Sequence, residues 1–307
     1  MRPQADQSAI PPSRAARRRA TLRFLGTGTS MGVPTLGCDC PVCHSTDPRD
    51  RRLRPSILLR WSNPAPASNS ATHSRDQALA QADEHSVLID TGPDFREQAL
   101  ACDLRTLDAV LYTHSHADHI LGLDDLRPLS YLHQDRTGEP IPLFVSAETR
   151  AVMEHVFSYT FSQASTYSHR ARVALREIGT GVTLGHLRFQ PIRLLHGALE
   201  IVGWRFGPVA YLTDVSAIPE ASFDQLHGLD VLILSALRHK PHPSHATVAQ
   251  AVQWAQRIGA RQTWLTHISH DLGHQQTNSM LPSGIQLAWD GLTLELDLDT
   301  QPIRQAV

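Results

Sequence analysis

Residues His114-Ser115-His116-Ala117-Asp118-His119 place four metal-binding side chains within six positions. No other segment constrains the chain as much. Side chains of an extended stretch alternate faces, so His114, His116 and Asp118 are expected on one side. His119 breaks the alternation and calls for a turn after Asp118, which a helix expected over 120–132 would supply. Three imidazoles and a carboxylate suit zinc, manganese or iron, and are too rich in nitrogen for calcium or magnesium. The competing reading is a His-rich surface loop, since the chain holds 18 His. That reading predicts scattered spacing and no matching ligands downstream, so the downstream residues decide.

At 307 residues the chain has room for one large domain or two small ones with a sizeable core. A hydrophobic content of 41% and a charged content of 19% describe an ordinary globular chain. The formal charge of -2 argues against broad electrostatic capture of nucleic acid. No apolar run approaches the length of a membrane span. Arg14, Arg17, Arg18 and Arg19 lie in a stretch with no apolar core behind them, so 1–20 reads as a disordered basic tail and not a secretory signal. Three of the four cysteines fall within Cys38 to Cys43, which fits a metal site in a reducing compartment better than disulfides. The expected location is cytoplasmic.

After the tail, 21–307 reads as a single domain. A first strand over 21–25 runs into Gly26-Thr27-Gly28-Thr29-Ser30, where no Lys follows and the nucleotide-binding spacing is missing. Strands follow at 56–61 and 86–90. Between them 62–84 is rich in Ala, Ser, Asn, Gln and Asp with no apolar period, and reads as an exposed insertion. Asp90-Thr91-Gly92-Pro93 ends a strand and opens a helix to Ala101, with Pro93 near a first helical position. Strands are expected at 108–112, 141–146, 172–178, 187–195, 200–206, 209–213, 230–234, 262–266 and 292–298. Helices are expected near 147–159, 220–227 and 246–258. Val248, Ala251, Val252, Ala255 and Ile258 form a helical apolar stripe suited to a core. Two strand-rich halves with covering helices make an α/β fold, a four-layer αββα sandwich.

A two-metal centre needs more ligands than the first motif holds. His196, Asp214 and His267 each follow an apolar strand, where a site on one rim of a sandwich collects its ligands. Any one alone reads as a loop residue; three at equivalent strand ends read as a site. Cys38, Cys40 and Cys43 offer three thiolates at spacings that suit tetrahedral zinc, with the fourth ligand missing locally. His44 is too close in sequence to complete a relaxed site. Cys102, at a helix end, reads as a small core residue.

Thr113-His114-Ser115-His116-Ala117-Asp118-His119-Ile120-Leu121-Gly122-Leu123 resembles the signature of the metallo-β-lactamase superfamily, and His196, Asp214 and His267 follow in that superfamily's order. The resemblance implies that His114, His116 and His196 hold one metal and Asp118, His119 and His267 a second, with Asp214 bridging. Asp90 would orient a ligand from behind. Phe24-Leu25-Gly26-Thr27-Gly28, Gly32-Val33-Pro34, Gly37-Cys38-Asp39-Cys40-Pro41-Val42-Cys43, Leu265-Thr266-His267-Ile268-Ser269-His270 and Leu281-Pro282-Ser283-Gly284 narrow it. They are similar to the PhnP-type phosphoribosyl 1,2-cyclic phosphate phosphodiesterases. That similarity nominates His270 as fourth ligand of a structural zinc with Cys38, Cys40 and Cys43. It also places His245, in Pro243-Ser244-His245-Ala246-Thr247, at the general-acid position, with His242 a weaker candidate.

The resemblance therefore implies two catalytic divalent ions (manganese or zinc) and one structural zinc. It implies hydrolysis of a small cyclic phosphodiester by a metal-activated hydroxide, with Asp118 and His245 in the catalytic set. The expected partner is a small phosphorylated sugar, with no nucleic acid and no membrane, and a homodimer stays open. Two other readings are carried: a ribonuclease-Z-like nuclease, disfavoured by the near-neutral charge, and a non-catalytic binding protein like the pyrroloquinoline-quinone biosynthesis relatives, disfavoured by the intact ligand set.

Overall fold

Seven strands in each of two sheets, both mixed, form the frame of the computed structural model. It describes residues 18–63, 84–162 and 166–298. The first sheet contains β1 (Arg19–Gly26), β2 (Ser56–Ser62), β3 (Glu84–Ile89), β4 (Ala109–Leu111), β5 (Ile141–Val145), β6 (Val173–Glu177) and β14 (Thr293–Asp297), ordered β14-β1-β2-β3-β4-β5-β6. The second contains β7 (Val182–Leu184), β8 (Leu187–His196), β9 (Leu199–Phe206), β10 (Val209–Leu212), β11 (Val231–Ser235), β12 (Gln262–Thr266) and β13 (Ile285–Leu287), ordered β13-β12-β11-β10-β9-β8-β7. Each sheet is antiparallel on one side and parallel on the other, the parallel strands being β3 to β6 and β10 to β13.

Alternation along the strands explains the layers. In β2, Ile57, Leu59 and Trp61 turn into the core between the sheets, where Phe189, Trp204, Phe206, Tyr211 and Ile233 meet them. Leu58, between them in sequence, turns outward to pack with Phe95, Leu123, Leu126, Leu129 and Met153. The outer face of the second sheet presents Ile192, Leu194, Leu232 and Leu234 to Phe223, Val248, Ala251, Ala255 and Ile258. Three apolar layers thus separate helix, sheet, sheet and helix. The fold is the αββα sandwich of the metallo-β-lactamase type.

The covering helices start and stop where their chemistry requires. Thr247 and Gln250 form a reciprocal cap before Val248–Ile258, and Gly259 at φ 71 ends it. Val248, Ala251, Ala255 and Ile258 are buried on one stripe and Val252 packs at its edge, as the 3.6-residue period demands. Ser146 caps Ala147–Val156 through the Thr149 amide.

Several elements differ from the sequence expectation. The single helix expected over 120–132 is three pieces: Ala117–Ile120, a 3-10 turn at Leu123–Leu126, and Arg127–Thr137. Gly122 breaks it, because its amide donates to the Thr91 carbonyl and a side chain there would collide with the Gly92 carbonyl. The helix expected over 220–227 ends at Phe223 and tightens into a 3-10 turn. Short strands β7 and β13 and the helix His274–Met280 were not anticipated, being three to seven residues long without clean periodicity. Arg19 and Ala20, assigned to the tail, already pair with Asp297 and Leu296 in β1. Of the tail, 1–17 lies outside the described residues, as does 64–83 of the expected insertion. The insertion's expected ends, Ser62 and Glu84, are partners in the β2–β3 ladder.

Candidate metal centres

Strands of both sheets end at one rim, and that rim collects the candidate ligands. Asp90 follows β3, His114 follows β4, His196 ends β8, Asp214 follows β10 and His267 follows β12. Loops at the carboxyl ends of parallel strands are the usual place for a site. Asp90, Asp214 and His267 sit at φ 65, 57 and 54, in the left-handed region that non-glycine residues avoid. Three strained residues at one rim, each costing on the order of 1–3 kcal/mol, mark a backbone held for a purpose.

The structure gathers His114, His116 and His196 into one group and Asp118, His119, Asp214 and His267 into another, with ligand atoms inside each group within 4.8 Å. This partition corrects the alternation argument. His114 and His116 are extended, but the helix begins at Ala117, so Asp118 already turns away toward the second group together with His119. The bend precedes Asp118 rather than following it.

Asp214 faces both partners of its group. Its Oδ2 is 3.1 Å from His119 Nε2 and its Oδ1 is 2.9 Å from His267 Nε2. Asp118 Oδ2 stands 3.3 Å from His119 Nε2 and 3.6 Å from His267 Nε2. Asp214 also groups with His196 and His245, which ties it to the first set. Those contacts bring charge together without hydrogen-bond angles: His119 Nε2 and both nitrogens of His267 are buried with no hydrogen-bond partner among the described residues. Buried polar atoms are rarely left so, and imidazole nitrogens aimed at carboxylates around one point suit a cation.

The groups behind the ligands fix their orientation. Asp90 accepts from the Thr113 amide and hydroxyl, both at 2.8 Å, and its Oδ2 lies 2.7 Å from His119 Nδ1. His119 therefore donates through Nδ1 and turns Nε2 to the cluster. Thr113 Oγ1 is 3.0 Å from His114 Nδ1, and the Ser244 carbonyl accepts from His196 Nδ1 at 2.6 Å. Each leaves an Nε2 for the site.

The charge balance carries the same message. Burial alone would raise the Asp214 and Asp118 carboxyls, yet neighbouring His119 and His267 hold both below the usual carboxylate range. Burial alone would lower His119 and His267, yet Asp118 and Asp214 raise His119 well above its ordinary value and His267 to about 9. His114 is pushed down by burial and then by His119. The cluster thus wants positive charge, which divalent cations bring in place of protons.

A second cluster lies apart from the first. His270 Nδ1 is 3.1 Å from Cys38 Sγ and 3.5 Å from both Cys40 Sγ and Cys43 Sγ. A zinc ion bound at about 2.3 Å to sulfur and about 2.0 Å to nitrogen separates tetrahedral donors by roughly 3.5 Å. The Cys43 amide draws Cys40 down to about 6, while burial pushes Cys43 up to about 11. Neighbouring thiols that resist ionising together fit a site completed by a cation. His44 turns aside to Asp39, 3.3 Å away, and Cys102 packs in the core.

His245 lies at the same rim. Its ring stacks on His267 at 4.8 Å and lies 4.5 Å from His196, and its Nδ1 is 3.8 Å from Asp214 Oδ1. Burial, then the charge of His267, pushes it down to about 3. It precedes the cap Thr247 by two residues, so it stands before the helix rather than within its first turn. His242, 4.9 Å from His245, is held by the Ser244 amide at 3.3 Å.

The β-lactamase superfamily domain matches residues 85–268, from β3 to the last rim ligand. A crystallised diphosphatase of the PhnP family is 50% identical, covers 91% of this chain and 98% of its own, and superposes with a TM-score of 0.78. The chain belongs to the PhnP family of the β-lactamase superfamily. An octanoyltransferase from Porphyromonas gingivalis is 35% identical over 280 residues, 89% of this chain; the chain spans only 51% of that protein. Zinc-bound PqqB from Methylobacterium extorquens, 17% identical with a TM-score of 0.64, shares the fold over 90% of this chain and 100% of its own. No helix among the described residues is long and apolar enough to cross a membrane.

In this PhnP-family chain every sequence-named ligand reaches one of the two clusters. What the sequence did not disclose is the support: the Thr113 hydroxyl between Asp90 and His114, and the Ser244 carbonyl behind His196. Thr113 is adjacent to the motif, which was its available signal. A backbone carbonyl 48 residues from its partner has none.

Proposed function

We propose that the chain is a metal-dependent hydrolase of a small phosphorylated sugar that cleaves a cyclic phosphodiester, phosphoribosyl 1,2-cyclic phosphate being the candidate. The observation that carries this reading is the pairing of two donor groups through Asp214 on one rim. His114, His116 and His196 would hold one ion, Asp118, His119 and His267 the other, and Asp214 would touch both. When bound, such ions lower the pKa of water and neutralise phosphate oxygens. Zinc or manganese fits the nitrogen-rich catalytic set, and zinc the thiolate set of Cys38, Cys40, Cys43 and His270.

The chain's own residues supply positioning and a proton. Asp90 and Thr113 keep His119 and His114 in the tautomers that face the site. His245 lies against His196 and His267, where it can reach a leaving oxygen. Its pKa of about 3 leaves it neutral near pH 7 in the free protein. An anionic phosphate against the ring raises it, so the substrate itself recruits the acid.

The diphosphatase relative supports a second reading, hydrolysis of a phosphoric anhydride at the same centre. The two differ in the leaving group: an alkoxide requires a proton from His245, whereas a departing phosphate requires one far less. His245→Ala should therefore slow an alkyl phosphodiester by on the order of a hundredfold to ten-thousandfold. The deficit should shrink on a nitrophenyl ester. The test measures both rates and the metal content of the variant. Equal deficits on the two esters would remove the general-acid role, and loss of metal would make His245 a ligand. Failure of metal-reloaded protein to hydrolyse any cyclic phosphodiester or diphosphate would sink the function itself.

A further inference from the structure

His267 lies at φ 54, a backbone conformation that a non-glycine residue keeps only where its surroundings enforce it. The enforcing contacts stand on both sides of it. Before it, the Ala288 amide donates to the Leu265 carbonyl at 2.8 Å. After it, the Ile268 amide donates to the Thr27 carbonyl at 2.9 Å, and Gly28 bridges Ile268. One buried side chain grips both partners. Arg52, 2% exposed, donates through Nη1 to the Ala288 carbonyl at 2.7 Å and to the Thr27 hydroxyl at 2.8 Å. Through Nη2 it donates at 3.3 Å to Nδ1 of His274, the first residue of the helix that follows the turn.

Stability alone does not call for a guanidinium there. Its partners are a carbonyl, a hydroxyl and an imidazole, and among the described residues no carboxylate pairs with it directly. Asp290 is reached only through the Thr27 hydroxyl, which donates to its Oδ1 at 2.7 Å, while its Oδ2 accepts from the Leu53 amide at 2.6 Å. Burial pushes Arg52 down to about 10, against the pull of Asp290, Asp50 and Asp47. A buried cation without a direct counter-ion is costly, and an apolar side chain would fill the same space at less cost. What an apolar chain lacks is a planar fork that fixes three acceptors in set directions. The backbone of Arg52 is braced in turn: its amide and carbonyl pair with Val33 at 2.7 and 2.9 Å, shortly before Cys38.

We infer that Arg52 is a positioning residue for the turn after β12, holding the strained backbone that aims His267 at the rim, with Thr27 as its relay to Ile268. Arg52 touches no rim ligand itself and acts through Ala288 and Thr27, which flank the turn. This rests on the two-ion reading of the rim and deepens it, because it names what keeps one of the donors in place.

Chelator competition on metal-loaded protein tests it, at a temperature where circular dichroism shows each variant folded. Thr27→Val removes the hydroxyl and keeps the branched shape; it should weaken rim-ion affinity by roughly 3- to 30-fold. Thr27→Ser keeps the hydroxyl and should match the unmodified protein. Arg52→Lys, which cannot span three acceptors, should weaken the rim at least as much as Thr27→Val. A lower melting temperature with rim affinity unchanged makes the network purely structural and overturns the assignment, as does equal behaviour of Thr27→Ser and Thr27→Val. If the unmodified protein holds no rim ion, the two-ion reading fails separately, and amide hydrogen exchange on the metal-free protein decides the positioning role. Exchange at Ile268 faster in Thr27→Val by on the order of tenfold, with the helix Val248–Ile258 unchanged, supports it. Equal acceleration in both places, or none at Ile268, overturns it.

Discussion

The two clusters bring together side chains able to hold a cation, by opposite routes. Cys38, Cys40 and Cys43 come from one short loop, are half-exposed, and take a single distant partner, His270. The rim cluster draws on four separate strand ends, buries every donor except His116, and rests on a further layer of Asp90, Thr113 and the Ser244 carbonyl. A loop of closely spaced thiolates needs only one tertiary contact to close. A site that must bind, orient and release a substrate needs rigid supports on several sides. His267 and His270 link the two, because one turn after β12 delivers a residue to each.

The sharpest way to break this comparison is to empty each region alone. Elemental analysis of loaded protein should find about three ions per chain. Asp214→Ala should lose both rim ions, keep the thiolate-bound one, and drop activity by roughly a thousandfold or more, since metal assistance is worth several kcal/mol. Retention of full rim occupancy would end the bridging assignment. Cys40→Ser should do the reverse: lose one ion and lower the melting temperature by about 10 °C, on the scale of 2–4 °C per kcal/mol for a chain of this size. Unchanged zinc content and stability would dissolve the structural site. The supporting layer is a smaller lever. Asp90→Asn should reduce rim metal affinity by about 10- to 100-fold while leaving the thiolate site untouched, measured by competition with a chelator.

The smallest effect concerns a buried histidine that opens the helix His274–Met280. His274 is 2% exposed, accepts from Arg52 Nη2 at 3.3 Å through Nδ1, and is pushed down to about 4 by burial and then by Arg52. Its folded pKa lies below the unfolded value, so the fold favours neutral imidazole. That contribution is full above the unfolded value of about 6.5 and is lost as pH falls toward 4. Urea unfolding should show a decline on the order of 1–3 kcal/mol over that window. His274→Gln should flatten it, and an identical slope in the variant would assign the decline to other groups.

Much of this was legible in the chain itself. The His114–His119 run named a candidate metal site, and apolar strands leading to His196, Asp214 and His267 named the residues the fold brings beside it, because ligand chemistry restricts residue type and strand period restricts position. Alternation in β2 and the stripe of Val248–Ile258 announced the layers for the same reason. Other features belonged to the tertiary structure. The break at Gly122 arises from a close backbone approach to Thr91 and Gly92, some 30 residues earlier, that leaves no room for a side chain, and the helical start at Ala117 sends Asp118 to the second group rather than the first. The His270 contact with three thiols and the Ser244 carbonyl behind His196 span 227 to 232 and 48 residues. Local pattern fixes which residues can bind and which face they take. Only packing decides which distant backbone meets them, because that depends on how two sheets and their loops close on one another.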